Sequence, residues 1–181
     1  VRAGLAHVQF ETIHPFLDGN GRIGRMLIML LVEHWRLLDQ PLLYLSVAFK
    51  RRQQDYYRTL AAVRTEGDWE GWTAFFLECV TEAAEDAVEV AGTLFRIVSA
   101  DRSKLLSAAS ATINAVRLLD VLPSHPVVTL QRVIELLSVT KPTAAKCIGD
   151  LVTAGVLRET TGKQRDRVYV YHEYLGVLTG S

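Results

Sequence analysis

HPFLDGNGRIGR, residues His14 to Arg25, crowds an imidazole, a carboxylate, an asparagine between two glycines and two guanidiniums into one turn and the helix start behind it. Gly19, Asn20 and Gly21 all tolerate the left-handed backbone, which lets successive N–H groups turn inward as an anion nest. The helix that opens there adds unpaired N–H groups and the positive end of its dipole, so the turn is shaped for phosphate. Arg22 and Arg25 lie one turn apart at that helix start, where a cation opposes the dipole at a cost of about 0.3–1 kcal/mol. An anionic ligand offsets that cost. Asp18 beside the nest would repel phosphate unless a cation lay between them, and Mg²⁺ joining carboxylate to phosphate oxygens removes the conflict. His14, held in direction by Pro15, is the nearby group able to take a proton near neutral pH. Together these residues predict transfer of a phosphorus-containing group to a hydroxyl.

The rest of the chain bounds this reading. Its 181 residues are 49% hydrophobic and 22% charged with formal net charge +0, which suits a folded soluble protein and excludes a strongly basic nucleic-acid binder or an acidic tail. Cys79 and Cys147 have no Cys or His at ligand spacing and read as buried thiols of a reducing compartment. MLIMLLV, Met26 to Val32, falls far short of the ~20 residues a membrane span needs, so the expected location is the cytoplasm, with no membrane partner. The chain opens without methionine and already in helical pattern, which reads as entry within a domain.

Helical spacing of apolar residues predicts helices near Val1–Thr12, Gly21–Leu37, Leu45–Arg64, Glu70–Ala100 and Arg102–Leu119. Breaks are expected at HPFLDGN, at DQP before Leu42, and at EGDWEG, where Asp68 can cap the next helix. VLPSHP, Val121 to Pro126, marks the expected boundary between domains 1–120 and 121–181. Beyond it come a short helix in TLQRVIELLSV, a second in KPTAAKCIGDLVTAG with Pro142 in its first turn and Gly155 as its stop, and a hairpin pairing Val156–Thr160 with Arg167–Tyr171. That order is the one found in a winged helix-turn-helix. The fold class expected is therefore mainly α, a helical bundle followed by a small α+β domain.

HPFLDGNGRIGR also resembles the complete signature of Fic-domain proteins, His-x-Phe-x-(Asp/Glu)-Gly-Asn-Gly-Arg-x-x-Arg, at every defining position. KRRQQDYYRTL and GDWEGWTAFFLECV resemble the helices that follow it in members carrying a C-terminal winged helix. The resemblance implies a Fic-type helical bundle, here its C-terminal part, that transfers AMP from ATP to a Ser, Thr or Tyr hydroxyl of a target protein. Carried over by position, His14 is the general base, Asp18 holds Mg²⁺, and Asn20 with the Gly19 and Gly21 amides holds the α- and β-phosphates. Arg22 and Arg25 take the outer phosphates, and Phe16 packs into the core to anchor the loop. Two family features, a β-hairpin flap and an inhibitory (Ser/Thr)-x-x-x-Glu-(Gly/Asn) helix, lie upstream of the motif in Fic proteins and are not found in these residues.

Other residues carry weaker signals. Tyr56 and Tyr57, flanked by Arg51, Arg52 and Arg58, either border an adenine pocket or form one buried ring and a solvated basic face. Trp69, Trp72, Phe75 and Phe76 have the spacing of core residues. His7 lies roughly 10 Å along the helix from His14, too far to share a metal. In residues 121–181, seven Lys/Arg face five Asp/Glu; Lys141, Thr143 and Lys146 begin the expected recognition helix, while Lys163 and Arg165 lie at the wing tip. These are the places that meet duplex DNA in winged helices, which also serve as dimerisation or docking modules, so both DNA and a homodimer stay open. The alternative to a transferase is a nucleotide-sensing DNA-binding regulator, which would not need His14.

Overall fold

The computed structural model describes residues 1–38, 43–107 and 112–179. Among them are nine helices and three strands: α1 (Arg2–Ile13), α2 (Asn20–His34), α3 (Leu45–Arg51), α4 (Gln53–Glu66), α5 (Trp69–Ser107), α6 (Ile113–Val121), β1 (Val127–Thr129), α7 (Leu130–Leu137), α8 (Lys141–Thr153), β2 (Leu157–Glu159), β3 (Val168–Tyr171) and α9 (His172–Thr179). The chain is mainly helical with one small antiparallel sheet, as expected. Two compact units divide inside α5, Val1–Glu89 and Val90–Ser181. The change of pattern expected at residue 121 lies within the second unit. No described helix is long and apolar enough to cross a membrane. The break expected at DQP lies outside the described residues.

In the first unit, Trp72 is fully buried and its indole N–H donates to the Gly4 carbonyl at 3.0 Å, tying α5 to α1. The approach is so close that a Cβ at Gly4 would lie 2.8 Å from the Phe76 ring, so only glycine fits. Phe49, Tyr56, Phe75 and Phe76 complete this aromatic core, whereas Trp69, expected within it, is 44% exposed at the start of α5. Asp68 caps α5 as expected, accepting from the Gly71 amide at 2.8 Å. α2 is held by residues four apart, the buried Asn20, Gly24 and Ile28.

The expected helix Leu45–Arg64 is broken at Arg52, whose ψ of 39° separates α3 from α4. The break turns neighbouring guanidiniums toward one helix. Arg51 pairs with Glu82 and Asp86 at 3.0 and 2.5 Å, and Arg52 with Glu78 at 2.8 Å. Unbroken helix would splay those two side chains apart. α2 stops at His34 rather than Leu37, because Arg36 adopts a left-handed φ of 51°.

α5 runs on through Asp101, where a break was expected. The carboxylate is buried on the inner face of the helix, accepting from the Tyr171 hydroxyl at 2.8 Å and pairing with Lys104 at 2.8 Å. A polar residue interrupted the apolar pattern without interrupting the helix. In this second unit Leu105, Leu118, Leu122, Val133, Leu137, Cys147, Leu151 and Tyr171 share one core. Thr129 caps α7 through the Arg132 amide, Pro142 occupies the first turn of α8, and Gly155 at φ 75° follows its end. The hairpin β2–β3 forms where expected, Leu157 opposite Tyr171 and Glu159 opposite Tyr169. β1, too short to show alternation, joins its other side with Val127 opposite Val170, giving the order β1-β3-β2. α9 was likewise not anticipated.

Candidate functional site: the loop between α1 and α2

The loop begins where proline forces the helix to stop. A residue before proline is disfavoured in the right-handed helical region, and His14 takes the left-handed one at φ 50°, ψ 58°, its amide still donating to Phe10 at 2.9 Å. Its imidazole is exposed. At the other end Gly19, at φ 83°, is the N-cap of α2 and leaves that helix start without a capping side chain or an acidic residue in its first turn. The α2 terminus is thus free to face an anion.

Asn20 holds the loop shut. It is 2% exposed, accepts from the Phe16 amide at 2.9 Å and donates to the Phe16 carbonyl at 2.5 Å. This corrects one expectation. Phe16 is 49% exposed, its ring 6.3 Å from that of Phe10, so burial of Phe16 does not anchor the loop. The anchor is the Asn20 side-chain amide, whose oxygen and nitrogen both engage the Phe16 backbone.

The two motif arginines part company. Arg22 reaches back to Asp18 at 3.4 Å in an exposed pair worth little by itself. Arg25 lines a cavity of about 290 Å³ with Ser46, Phe49, Lys50, Gln53, Tyr56 and Tyr57. The structure therefore brings Arg25 together with both tyrosines. Tyr56 is buried, with its hydroxyl 2.9 Å from His7 Nε2, and Tyr57 is 58% exposed. Arg51, Arg52 and Arg58 are taken up by acids instead, Arg58 pairing with Asp55 at 2.7 Å.

Behind the loop lies a polar cluster that the sequence reading missed. His7 is fully buried, and among the described residues neither its Nδ1 nor the buried Glu11 Oε1 has a hydrogen-bond partner. Both face Gly24, where an added Cβ would overlap the Glu11 carboxylate and lie 3.1 Å from the His7 ring. Burial drives the His7 imidazole down to about 4, with Arg25 adding to the effect, and pushes the Glu11 carboxyl up against the pull of His14, Arg25 and Arg64. The signal was present in the spacing: Glu11 stands four residues after His7 and three before His14, on one helix face. Cys79 and Cys147 are buried free thiols, as expected, and burial pushes Cys79 up to about 11.

Among the described residues no group of three or more His, Cys, Asp or Glu could hold a metal ion without other ligands. The donor set still fits Mg²⁺, which keeps several waters and takes one or two carboxylates together with substrate phosphates. Asp18, exposed at the mouth of the turn, offers that single hard oxygen ligand.

Residues 1–32 match the model of the Fic/DOC family. The chain's opening segment is similar to the Fic/DOC family. Over 83 residues, 46% of this chain, it is 30% identical to the proteins named protein adenylyltransferase Fic of Drosophila grimshawi and Drosophila yakuba, covering 16% and 15% of their lengths. The chain thus spans less than a fifth of these relatives. The matched residues take in α1, the loop with His14 and Asp18, and most of α2 with both motif arginines.

Of the residues expected to meet DNA, Lys141 and Arg165 line one groove of the second unit. Thr143 is turned to Thr140, their hydroxyls 2.9 Å apart. Lys146 and Lys163 are exposed but do not line the groove.

Proposed function

We propose that this chain carries the catalytic loop of a protein adenylyltransferase, which moves AMP from ATP to a hydroxyl of a target protein. The observation that carries the reading is the Asn20 clamp. It fixes one loop so that an exposed imidazole, an exposed carboxylate and an uncapped helix start share its ends, with Arg25 in a cavity behind them. The family membership of residues 1–32 and the printed names of the relatives support it. We also read the second unit as a winged helix, from its order α7, α8, β2, β3 with β1 closing the sheet.

In the reaction, His14 accepts the proton of the attacking hydroxyl as its oxygen bonds to the α-phosphorus, and the bond from that phosphorus to the bridging oxygen breaks to release pyrophosphate. The free amides at the start of α2 face the charge that develops on the phosphoryl oxygens, and Arg22 and Arg25 neutralise the departing phosphates. Asp18 would hold Mg²⁺, which would supply charge neutralisation at the phosphates. Tyr57 offers an exposed face for the base beside Arg25, while Tyr56 is held in place by His7. Asn20 acts by fixing the loop.

Incubation with Mg²⁺ and ATP labelled at the α- or the γ-phosphate, with and without cell lysate, tests this reading. Protein label is expected from the α position only, and His14→Ala should lower it by about 10²–10⁴-fold. Label from the γ position would mean phosphotransfer. ATP binding without label, unchanged in His14→Ala, would make the site a nucleotide sensor instead.

A further inference from the structure

The buried polar cluster of the first unit reaches Arg25 through a single hydroxyl. His7 of α1 is fully buried, and its Nε2 stands 2.9 Å from the Tyr56 hydroxyl of α4. The Tyr56 ring is itself locked, 3% exposed, with ring centres 5.0 Å from Phe49 and 6.1 Å from Trp72. Close packing on both sides fixes where its hydroxyl can be. Tyr56 and Arg25 line the same cavity. Burial and the Glu11 carboxylate push the Tyr56 hydroxyl above its ordinary range, and Arg25 pulls against them by its charge and a hydrogen bond.

The chemistry of these groups places the protons. A guanidinium has donors and no acceptor, so the Tyr56 oxygen turns a lone pair to Arg25 and its proton to His7 Nε2. Nε2 accepts that proton only in a neutral imidazole protonated on Nδ1. Burial keeps the ring neutral at pH 7 by lowering it to about 4. Nδ1 lies beside Gly24 together with Glu11 Oε1: a Cβ at Gly24 would stand 3.1 Å from the first and 2.4 Å from the second. A carboxylate oxygen there favours the proton on Nδ1, the nitrogen beside it.

Arg25 needs such a partner. It is half-buried, and among the described residues no carboxylate stands at ion-pair distance from it. A long side chain that must be ordered by its ligand weakens binding by the freedom it loses. A fixed hydroxyl removes part of that loss in advance. Being neutral, it also leaves the whole positive charge for an anion, which a carboxylate partner would cancel.

We propose that His7 and Tyr56 are positioning residues, a buried pair that holds the Arg25 guanidinium toward the outer phosphates of a nucleoside triphosphate. The proposal rests on the nucleotide reading of the loop between α1 and α2.

Calorimetric titration of the chain with ATP and Mg²⁺ tests it. Tyr56→Phe keeps the ring and removes the hydroxyl, and should weaken ATP binding about three- to tenfold, with Arg25→Ala losing at least as much. Adding Tyr56→Phe to Arg25→Ala should cost nothing further, because the hydroxyl acts through that guanidinium; a merely structural role would make the two losses add. His7→Leu should reproduce the Tyr56→Phe loss. His7→Gln, whose amide oxygen can accept the same proton, should stay within about twofold of wild type. Circular dichroism checks the fold of each variant. Additive losses, full affinity in Tyr56→Phe, or equal losses in His7→Gln and His7→Leu would overturn the proposal while leaving the nucleotide site standing. A wild-type chain that binds no ATP would overturn the nucleotide reading itself.

Discussion

Asn20 shows how one side chain can hold a loop through backbone contacts alone. Its amide closes the ring from Phe16 to the start of α2, satisfying one backbone donor and one acceptor. Asn20→Ala leaves both without that partner, and the expected loss is about 1–3 kcal/mol in urea unfolding, with ATP affinity falling as the loop loosens. Asn20→Asp keeps the acceptor and loses the donor, so it should fall between the two. The motif stood out in the sequence because its residue types are improbable elsewhere: cations in a first helical turn, glycines around an asparagine. The division of labour was not legible. Arg22 and Arg25 are equivalent in sequence, and only packing sends one to Asp18 and the other into a cavity. Phe16 is apolar and was expected to be buried, but it stays 49% exposed with its ring beside that of Phe10.

At the scale of elements, the helices followed from apolar spacing and caps, and the misreadings share one cause. The expected helices stopped at Ala100 and resumed at Arg102, yet the Asp101 carboxylate between them sits inside one helix, satisfied by a hydroxyl from β3 and a lysine one turn on. The pairing couples α5 to the sheet. Tyr171→Phe removes the hydroxyl and leaves Asp101 to Lys104, with an expected cost of about 1–3 kcal/mol measured by chemical unfolding. Asp101→Asn, which still accepts from Tyr171, should cost less. Arg52 was read as mid-helix since nothing in KRRQQ breaks a helix; the acids of α5 that turn Arg51 and Arg52 lie far along the chain. β1 was invisible because three residues cannot show a period, and pairing with β3 alone makes them a strand.

At the scale of the molecule, each unit has its own core, and the first contains all three tryptophans, Trp35, Trp69 and Trp72, so their fluorescence follows the unfolding of that unit. Its stability should depend on pH through His7. Folding lowers that imidazole from 6.5 to about 4, so below 6.5 the unfolded chain binds a proton that the folded chain resists. Stability is full above 6.5, declines as pH falls toward about 4, and levels off below, a total of about 3 kcal/mol. Glu11, raised by burial, acts in the opposite direction, weakening the fold as pH rises past its ordinary value of 4.5, so the measured decline is the difference of the two. His7→Gln should flatten the profile between pH 7 and 5, read as urea midpoints from tryptophan fluorescence. An unchanged slope would place the proton elsewhere.

The sequence by itself determined the local facts: where most helices lie, which turn opens a helix without a capping side chain, the hairpin after Gly155, and the match of residues 1–32 to the Fic/DOC family. Those depend on backbone preference and on residues within a turn or two of one another. Tertiary structure alone decided which arginine enters the cavity, that His7 and Glu11 meet at Gly24, that Asp101 is sheltered by Tyr171, and that Lys141 and Arg165 line one groove. Each of these joins residues distant in sequence, and burial, which sets both partner and charge state, exists only once those residues are packed.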